Sequence, residues 1–235
     1  TTDSALYIYD GEWKKVTQTD IRSYPILATT NAITAGGFSP FSSPNHLNLI
    51  FIINVTSEGA PTYNTNNLTA PSFLAEGLSS ATDGYSFGGK SANAEGNLHT
   101  AADKLTFSSS AVASLGGSIN NGFRDASGAS MEEANGYIHG GYAESSVYLN
   151  KVQKYAFATA NSATTVPFTL AATTYMGTGG QSATHGYHGF GEKDGYTTTP
   201  NTIDKYAFSN NAYTSSTASL PTSRHDKGNK STGSG

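Results

Sequence analysis

The six histidines are the residues of this chain best suited to bind a metal ion, and two of them lie close together. His185 and His188 are three residues apart, a spacing at which two ligands can share one face of a helix. On a strand, the same spacing directs the side chains to opposite faces, because successive residues alternate. The surrounding residues are typical of a strand, so we predict no metal site there. The Gly-rich segments around His139 and His188 instead favour a place near a channel or a loop edge.

Paired carboxylates are the second candidate chemistry, because two of them held about 5 to 10 Å apart can hydrolyse a glycoside. Glu132 and Glu133 are adjacent in the sequence, so their side chains diverge. The aspartates are scattered, mostly at turns or at equivalent positions of a repeat, which favours a structural role. They are Asp83, Asp103, Asp125, Asp194 and Asp204. A glycan-active enzyme stays an alternative, since the sequence does not exclude a pair that forms in the fold.

Several enzyme classes lack their characteristic residues in this sequence. There is no cysteine, which excludes a thiol nucleophile, a disulfide, a thiolate-bound metal and a Tyr–Cys crosslink. A sialidase-like site needs three arginines around one carboxylate, but the chain has only Arg22, Arg124 and Arg224, two of them at repeat junctions. No Gly-x-Ser-x-Gly elbow for a catalytic serine occurs. We therefore predict no catalytic residue, no metal and no cofactor.

Charge and hydropathy argue against two kinds of partner. Charged residues make up 13% of the chain and the net charge is −4, whereas a typical domain has about 25% charged residues. Nucleic-acid binding needs clustered Lys and Arg, and no basic run occurs, so we predict no nucleic-acid partner. The longest apolar stretch, residues 49–55, is far shorter than the roughly 20 residues that span a bilayer, so we predict no membrane insertion. Polarity comes from Ser, Thr, Asn and Gly, a composition typical of extracellular or virion-surface proteins.

A repeat of 50 to 52 residues runs through almost the whole chain, and such a period decides the fold. Its first marker is a Gly-rich motif at residues 33–38 (ITAGGF), 84–89 (GYSFGG), 136–141 (GYIHGG) and 186–191 (GYHGFG). Its second marker follows at residues 50–53 (IFII), 104–107 (KLTF), 154–157 (KYAF) and 205–208 (KYAF). The third is a leucine that closes each unit, at Leu68, Leu115, Leu170 and Leu220.

Each unit is predicted to hold four short strands and no helix. In residues 152–157 the side chains alternate with the period of two that is typical of a strand. Gly, Asn, Asp and Pro at the joints indicate turns between strands. Two structural explanations fit the Gly pair: either inner strands crowd a central channel and leave no room for a side chain, or the pair ends a strand at a turn. The predicted fold class is all-β, and repeated four-stranded units favour a β-propeller.

These residues resemble the kelch repeat, in which an apolar strand with a Gly pair precedes a Tyr-bearing strand, an aromatic residue and a Leu-Pro turn with an Arg. Residues 136–155 match the first half of that pattern, and residues 220–225 (LPTSRH) match its junction between blades. Tyr213 stands where kelch repeats usually have Trp, whereas Val112 and Ser162 depart from the aromatic residue and predict looser packing. The resemblance implies a β-propeller of kelch-like four-stranded blades, with four full repeats plus a split or truncated blade.

The resemblance treats residues 1–235 as a single kelch-like propeller domain. Residues 5–20 would form a half blade, with Trp13 near the aromatic position and Arg22 matching Arg224 at the junction. The full repeats are residues 21–70, 71–115, 116–170 and 171–220, and residues 221–235 begin a further blade. The shared blade lacks its Gly-Gly strand, which indicates a truncated chain. We expect five blades if the ring closes with this chain alone, and more if residues are missing.

The best functional candidates are the loops that follow each Gly pair, because they vary while the strands repeat. These loops are residues 38–46, 90–102, 142–150 and 192–201, and in a propeller they open on one face. Aromatic side chains in them can stack on sugar rings or anchor protein contacts. The predicted ligand-binding residues are Phe38, Phe41, His46, Tyr142, Tyr148 and Tyr196. The alternative is that these side chains only cover the edges of the blades.

Cysteine-free repeats rich in Ser, Thr and Ala are similar to those of bacteriophage tail-fibre and other virion structural proteins. The resemblance implies a non-enzymatic, virion- or tail-associated protein that binds a host-surface glycan or neighbouring structural subunits. It would be extracellular or on the virion surface in several copies, which supply avidity to weak contacts. A glycan-active propeller enzyme, with a raised carboxyl pKa at the channel mouth, stays open. A cellular kelch adaptor that binds a peptide also stays open as an alternative, although the predicted loops lack the Arg that such a site normally contains.

Overall fold

The computed structural model shows β-strands and the turns between them. It describes residues 7–9, 13–15, 31–39, 46–54, 60–91, 98–119, 122–126, 128–143, 147–159, 163–189, 191–192 and 202–219. No helix occurs among these residues, so this part of the chain holds no helix long and apolar enough to cross a membrane. The all-β fold class predicted from the sequence is confirmed.

Within each sheet, neighbouring strands pair antiparallel. The first hairpin consists of β1 (Tyr7–Tyr9) and β2 (Trp13–Lys15). Sheet one consists of β3 (Asn31–Ala35), β4 (Ile50–Asn54) and β5 (Thr62–Tyr63). Sheet two consists of β6 (Glu76–Ser79), β7 (Asp83–Phe87), β8 (Ala101–Thr106) and β9 (Ala111–Ser118).

The next two sheets repeat the order of sheet two. The strands that follow are β10 (Gly128–Met131), β11 (Asn135–His139), a separate hairpin of β12 (Tyr142–Ala143) and β13 (Val147–Tyr148), then β14 (Lys151–Ala156) and β15 (Thr164–Thr169). Sheet three has the order β10-β11-β14-β15. Sheet four consists of β16 (Thr178–Gln181), β17 (His185–Gly189), β18 (Thr202–Ala207) and β19 (Tyr213–Ser219). Residues 21–30, the start of the first predicted repeat, lie outside the described residues.

A recurring hydrogen bond marks the step of the repeat. In sheets one to three, a buried aliphatic residue beyond the last strand donates its N–H to a backbone carbonyl. That carbonyl lies one or two residues before β4, β8 or β14. The donors are Leu68, Ile119 and Leu170, and their acceptors are Asn48, Thr100 and Asn150. The predicted marker Leu115 is therefore wrong, because it lies inside β9, whereas the residue of sheet two that makes this hydrogen bond is Ile119. β9 accordingly crosses the predicted repeat boundary at residue 115.

The first strands of sheets two, three and four lie side by side, with β10 in contact with both β6 and β16. Just before each strand, one residue has a positive φ: Leu74 (60°), Asp125 (50°) and Met176 (53°). The N–H of Asp125 donates to the Leu74 carbonyl at 3.0 Å, and the N–H of Met176 donates to the Asp125 carbonyl at 3.2 Å. This backbone ladder links one sheet to the next through their first strands, as in a propeller-like arrangement.

The Gly pair follows β3 in sheet one and the second of the four strands in sheets two and three, and it forms the joint with the next sheet. Gly88 and Gly89 have φ of 65° and 81°, and a Cβ on Gly88 would lie 2.7 Å from the carbonyl oxygen of Phe123. The N–H of Gly89 donates to that same carbonyl at 2.7 Å. The equivalent bonds run from Gly37 to Ser72 and from Gly141 to Thr174. Of the two explanations, the turn at the end of a strand is therefore the correct one, because the backbone turns at positive φ against the entry to the next sheet.

The apolar core lies between neighbouring sheets. β14 of sheet three is buried on both faces, since Tyr155 packs with Tyr85 of sheet two while Val152 packs with Tyr206 of sheet four. Rings of adjacent sheets also stack, as Tyr85 does on Phe157 with centroids 5.0 Å apart. Sheets that cover each other's faces in this way leave the ends of the strands, and the loops there, at the surface.

Candidate functional site

Phe38, His46 and Phe73 form the first aromatic cluster, at the joint between sheets one and two. The ring centroids are 4.6 Å apart for His46 and Phe73, 5.6 Å for Phe38 and His46, and 5.8 Å for Phe38 and Phe73. Nζ of Lys90 lies 5.4 Å from the Phe73 centroid, within cation–π distance. His46 is buried and Phe38 is 46% exposed, so the cluster presents one aromatic ring to solvent.

Tyr142, Tyr148 and Tyr175 form the second aromatic cluster, at the joint between sheets three and four. Tyr148 lies between the other two rings, with centroid distances of 5.2 Å to Tyr142 and 5.1 Å to Tyr175. The Arg124 guanidinium lies 4.4 Å from the Tyr142 centroid, and its Nη1 is 3.3 Å from Oδ2 of Asp125. Tyr175 is buried, whereas Tyr142 and Tyr148 are half-buried and keep ring surface in contact with solvent.

The same positions of the fold build both clusters, two repeats apart. Phe38 and Tyr142 each follow a Gly pair directly, and each pairs with the returning segment, at His46 and Tyr148 respectively. Phe73 and Tyr175 are the equivalent residues at the entry to the next sheet. Because the Gly-pair joint sets the distance between neighbouring sheets, the fold gathers three aromatic rings at each of two equivalent corners.

Backbone hydrogen bonds hold one residue of each cluster in place. Phe73 exchanges two such bonds with Lys90, at 3.1 and 2.9 Å, and Tyr175 exchanges two with Glu192, at 3.0 and 2.8 Å. Glu192 thus occupies in the second cluster the position that Lys90 has in the first. Its side chain is buried, and Oε1 makes no hydrogen bond within the described residues. The two corners therefore share aromatic rings but differ in charge.

Four of the six predicted binding residues lie in these clusters. The structure brings Phe38 to His46 and Tyr142 to Tyr148, but places the two pairs at different corners. The other two predicted residues, Phe41 and Tyr196, lie outside the described residues. The binding role of all six stays a prediction.

Sequence reasoning missed Phe73 and Tyr175, because they precede the first strand of a sheet and so lie outside the loops that follow the Gly pairs. A signal for them existed, since Phe73, Arg124 and Tyr175 recur at one offset of the repeat, 51 residues apart. Lys90 was also missed, although it lies directly after a Gly pair. From one repeat to the next, each of these two positions alternates between an aromatic and a charged residue.

A buried polar network joins sheets three and four. His188 Nδ1 is 3.2 Å from Oδ2 of Asp204, and its Nε2 is 3.1 Å from Oγ1 of Thr174. His139 Nε2 is 2.8 Å from the hydroxyl of Tyr206. Both histidines are buried, so their predicted place near a channel or loop edge is wrong: sheets three and four cover them from both sides. Burial lowers the pKa of His139 well below its usual value, and the neighbouring His188 lowers it further.

Asp204 is the carboxylate of this network. It accepts hydrogen bonds from the backbone N–H of Ala171 at 3.1 Å and from the hydroxyl of Tyr213. Burial by itself raises the pKa of Asp204, but the hydrogen bonds from His188, Tyr213 and Ala171 outweigh it, so the pKa is lowered. A carboxylate with a lowered pKa and several donors fastens the ends of strands, and it is a poor general acid.

Asp103 has the equivalent role in sheet two. It accepts from the backbone N–H of Thr69 at 3.0 Å and from its hydroxyl at 2.6 Å, across the boundary to sheet one. Asp83 is held by the hydroxyls of Thr82 and Thr106, at 2.7 and 2.8 Å. Within the described residues, no group of three or more His, Asp or Glu side chains is placed to hold a metal ion.

Comparison with known proteins bears on the fold alone. No family model matches the chain, and no curated protein matches it significantly. Among solved structures, that of YjhT resembles the chain with a TM-score of 0.64 at 10% sequence identity, over 80% of this chain and 65% of that one. The chain thus spans slightly less than two thirds of YjhT. The likeness is compatible with a propeller-like arrangement of the sheets.

Proposed function

We propose that this chain is a non-enzymatic binding protein of a bacteriophage virion or tail, which engages host-surface glycans through its two aromatic clusters. The observation that carries the proposal is that one arrangement, three aromatic rings at a rigid corner, is built twice by equivalent residues. Aromatic faces stack on the apolar faces of sugar rings, and rigid rings bind at little entropic cost. The virion assignment is supported by the composition and by the resemblance of the repeats.

The scaffold that we propose is a closed, kelch-like propeller of four-stranded blades. The backbone ladder through Leu74, Asp125 and Met176 supports it, because an inner ring of first strands needs such links. The hairpin of β1 and β2 supplies two strands for a further blade. In this arrangement the two clusters lie on one face of the propeller, two repeats apart, so that a glycan chain or an array of glycans can contact both. Several copies on a particle would add avidity.

The alternative of a glycan-active enzyme has less support. It requires a pair of carboxyl groups, one of which keeps its proton near neutral pH. Asp83 and Asp204 both have lowered pKa values, because their hydrogen-bond donors outweigh the effect of burial. Both carboxylates also fasten strands to neighbouring segments, which accounts for their positions without catalysis.

The alternative of a peptide adaptor gains an arginine from the structure, since Arg124 lies beside Tyr142. Its guanidinium is already engaged, however, with the face of that ring and with the Asp125 carboxylate. An arginine in this position orders the tyrosine rather than offering its fork to an acidic peptide. Glycan binding therefore uses the exposed ring surface of Tyr142 and Tyr148, whereas peptide binding requires Arg124 to leave Tyr142 and Asp125.

A glycan array tests the proposal. The chain is biotinylated, tetramerised on streptavidin to supply avidity, and applied to bacterial surface polysaccharides and their fragments. We expect binding to a restricted set of glycans, with no change in their chain length on prolonged incubation. A folded tetramer that binds no glycan would contradict the proposal, and shortened glycans would favour the enzyme instead. Binding only to purified virion proteins would identify a structural connector.

A further inference from the structure

An open cleft of about 440 Å³ separates sheet one from sheet two. Its walls are mainly apolar, and it lies away from the two aromatic clusters. The side chains that define it are those of Ile33, Ala35, Leu68, Leu105, Phe107 and Val112. Ile33 is 36% exposed at its mouth, whereas Leu68 and Leu105 are buried in its floor.

The other two spaces between neighbouring sheets are filled by aromatic rings. Between sheets two and three, Tyr85 stacks on Phe157 with centroids 5.0 Å apart, and Phe87 meets Tyr155 edge-on at 4.9 Å. Between sheets three and four, the equivalent rings are Tyr137, His139, Tyr206 and Phe208. Each of these interfaces thus packs four rings together, two from each sheet.

The cleft exists because sheets one and two have smaller residues at those same positions. The Gly pairs fix the alignment: Ile33 and Ala35 precede Gly36 as Tyr85 and Phe87 precede Gly88. On the facing strand, Leu105 stands where sheets three and four have Tyr155 and Tyr206. Of the four rings, only Phe107 is kept, and no described side chain fills the space that the other three would occupy.

We infer that this cleft binds a small molecule with an aromatic ring, which takes the place of the missing side chains. An apolar cavity of about 150 Å³ is enough to bind benzene, and natural ligand pockets range from roughly 300 to 1,000 Å³. A guest ring stacks on Phe107 and contacts Ile33 and Leu105 on the two walls, as Tyr85 and Tyr155 contact their neighbours one repeat later. The site is separate from the aromatic clusters and does not depend on glycan binding.

The test uses p-cresol and toluene, which are the side chains of Tyr and Phe as free molecules. Each is titrated into the purified chain and followed by calorimetry and by methyl NMR spectra. We expect one saturable site with a Kd of roughly 0.1–1 mM for p-cresol, and shifts concentrated on the methyl groups of Ile33, Leu105 and Val112. Failure to saturate, or shifts concentrated elsewhere, would overturn the inference.

Filling the cleft provides the matched variants. Leu105→Tyr and Ala35→Phe each restore a residue type found in the other interfaces, so we expect at least a tenfold loss of p-cresol affinity together with a higher melting temperature. Val147→Phe adds the same ring at a position that is 49% exposed and outside the cleft, and it should leave the affinity unchanged. Folded filling variants that bind p-cresol as the parent chain does would refute the site. If neither filling variant folds, the methyl NMR shifts of the parent chain decide whether p-cresol binds in the cleft.

Discussion

Nε2 of His139 lies 2.8 Å from the hydroxyl oxygen of Tyr206, across the boundary between sheets three and four, and both side chains are fully buried. Their rings meet edge-on, with an angle of 86° and centroids 5.6 Å apart. One repeat earlier, Phe87 meets Tyr155 in the same edge-on way at 66°. The repeat therefore tolerates either a ring contact alone or a ring contact with a hydrogen bond at this position.

The His139 ring makes the stability of the fold sensitive to pH. Its pKa in the folded state is lowered well below the usual value, mainly by burial, whereas in the unfolded chain it titrates near 6.5. As the pH falls below about 6.5, the unfolded state takes up a proton that the folded state does not. We expect His139 to reduce the free energy of unfolding by up to about 1.4 kcal/mol per pH unit in that range. Urea denaturation at pH 7.5, 6.5 and 5.5 measures this slope.

His139→Phe recreates the Phe87–Tyr155 pair and should remove that component of the slope. His185→Gln provides the control for the removal of a histidine, because His185 is only half-buried and lies outside the network. An unchanged slope in His139→Phe would show that the buried ring does not titrate with folding.

Three glycine-to-alanine variants separate the cost of a positive φ from the cost of a steric contact made by the added Cβ. Gly37 has a φ of 123° and free space for a Cβ, Gly88 combines a φ of 65° with a contact at 2.7 Å, and Gly180 has neither constraint. We expect Gly180→Ala to change stability by less than about 1 kcal/mol. Gly37→Ala should destabilise by about 1–3 kcal/mol through φ alone, and Gly88→Ala by more than Gly37→Ala. Equal losses at Gly37 and Gly88 in chemical denaturation would contradict the close approach to Phe123.

Asp204 and Asp103 occupy equivalent positions but differ in burial. We therefore predict that replacing them by alanine lowers the free energy of unfolding by different amounts. Asp204→Ala removes the partner of the buried His188 and of the half-buried Tyr213, so we expect a loss of about 3–5 kcal/mol. Asp103→Ala leaves Thr69 accessible to water, so the loss should be about 1 kcal/mol. The Asp204 contribution is present above about pH 4 and is lost as the pH falls through its lowered folded-state pKa. Denaturation curves that show the same loss for both variants would mean that burial does not set the cost.

The sequence was sufficient to predict the all-β class, because the period-two pattern and the turn residues act locally. It also identified the Gly pairs that begin at Gly88 and Gly140 as repeat markers, but it left open whether they face a channel or end a strand at a turn. Their role depends on carbonyls of the next sheet, such as that of Phe123, which lie 35 residues further along the chain. A contact of that kind leaves no trace in the local pattern.

The candidate site was predicted in part for a similar reason. Phe38 and Tyr142 follow Gly pairs, so the rule that loops carry function selected them. Phe73 and Tyr175 belong to the segment that enters the next sheet, and only the joint between sheets brings them to those rings. Leu115 was mistaken for the closing residue because the marker was sought as a leucine, whereas sheet two has Ile119 at that position.

The most direct test of the binding surface compares the two clusters with an exposed tyrosine outside them. Tyr63 is 65% exposed and stacks only partly on Phe51, so Tyr63→Ala is a matched control for Phe38→Ala and Tyr142→Ala. The measurement is the binding of each streptavidin tetramer to the glycan that the parent chain selects from the array. We predict at least a fivefold to tenfold loss for the cluster variants, roughly that of an interface hot spot, and less than a twofold change for Tyr63→Ala. Unchanged binding by both folded cluster variants would contradict the account.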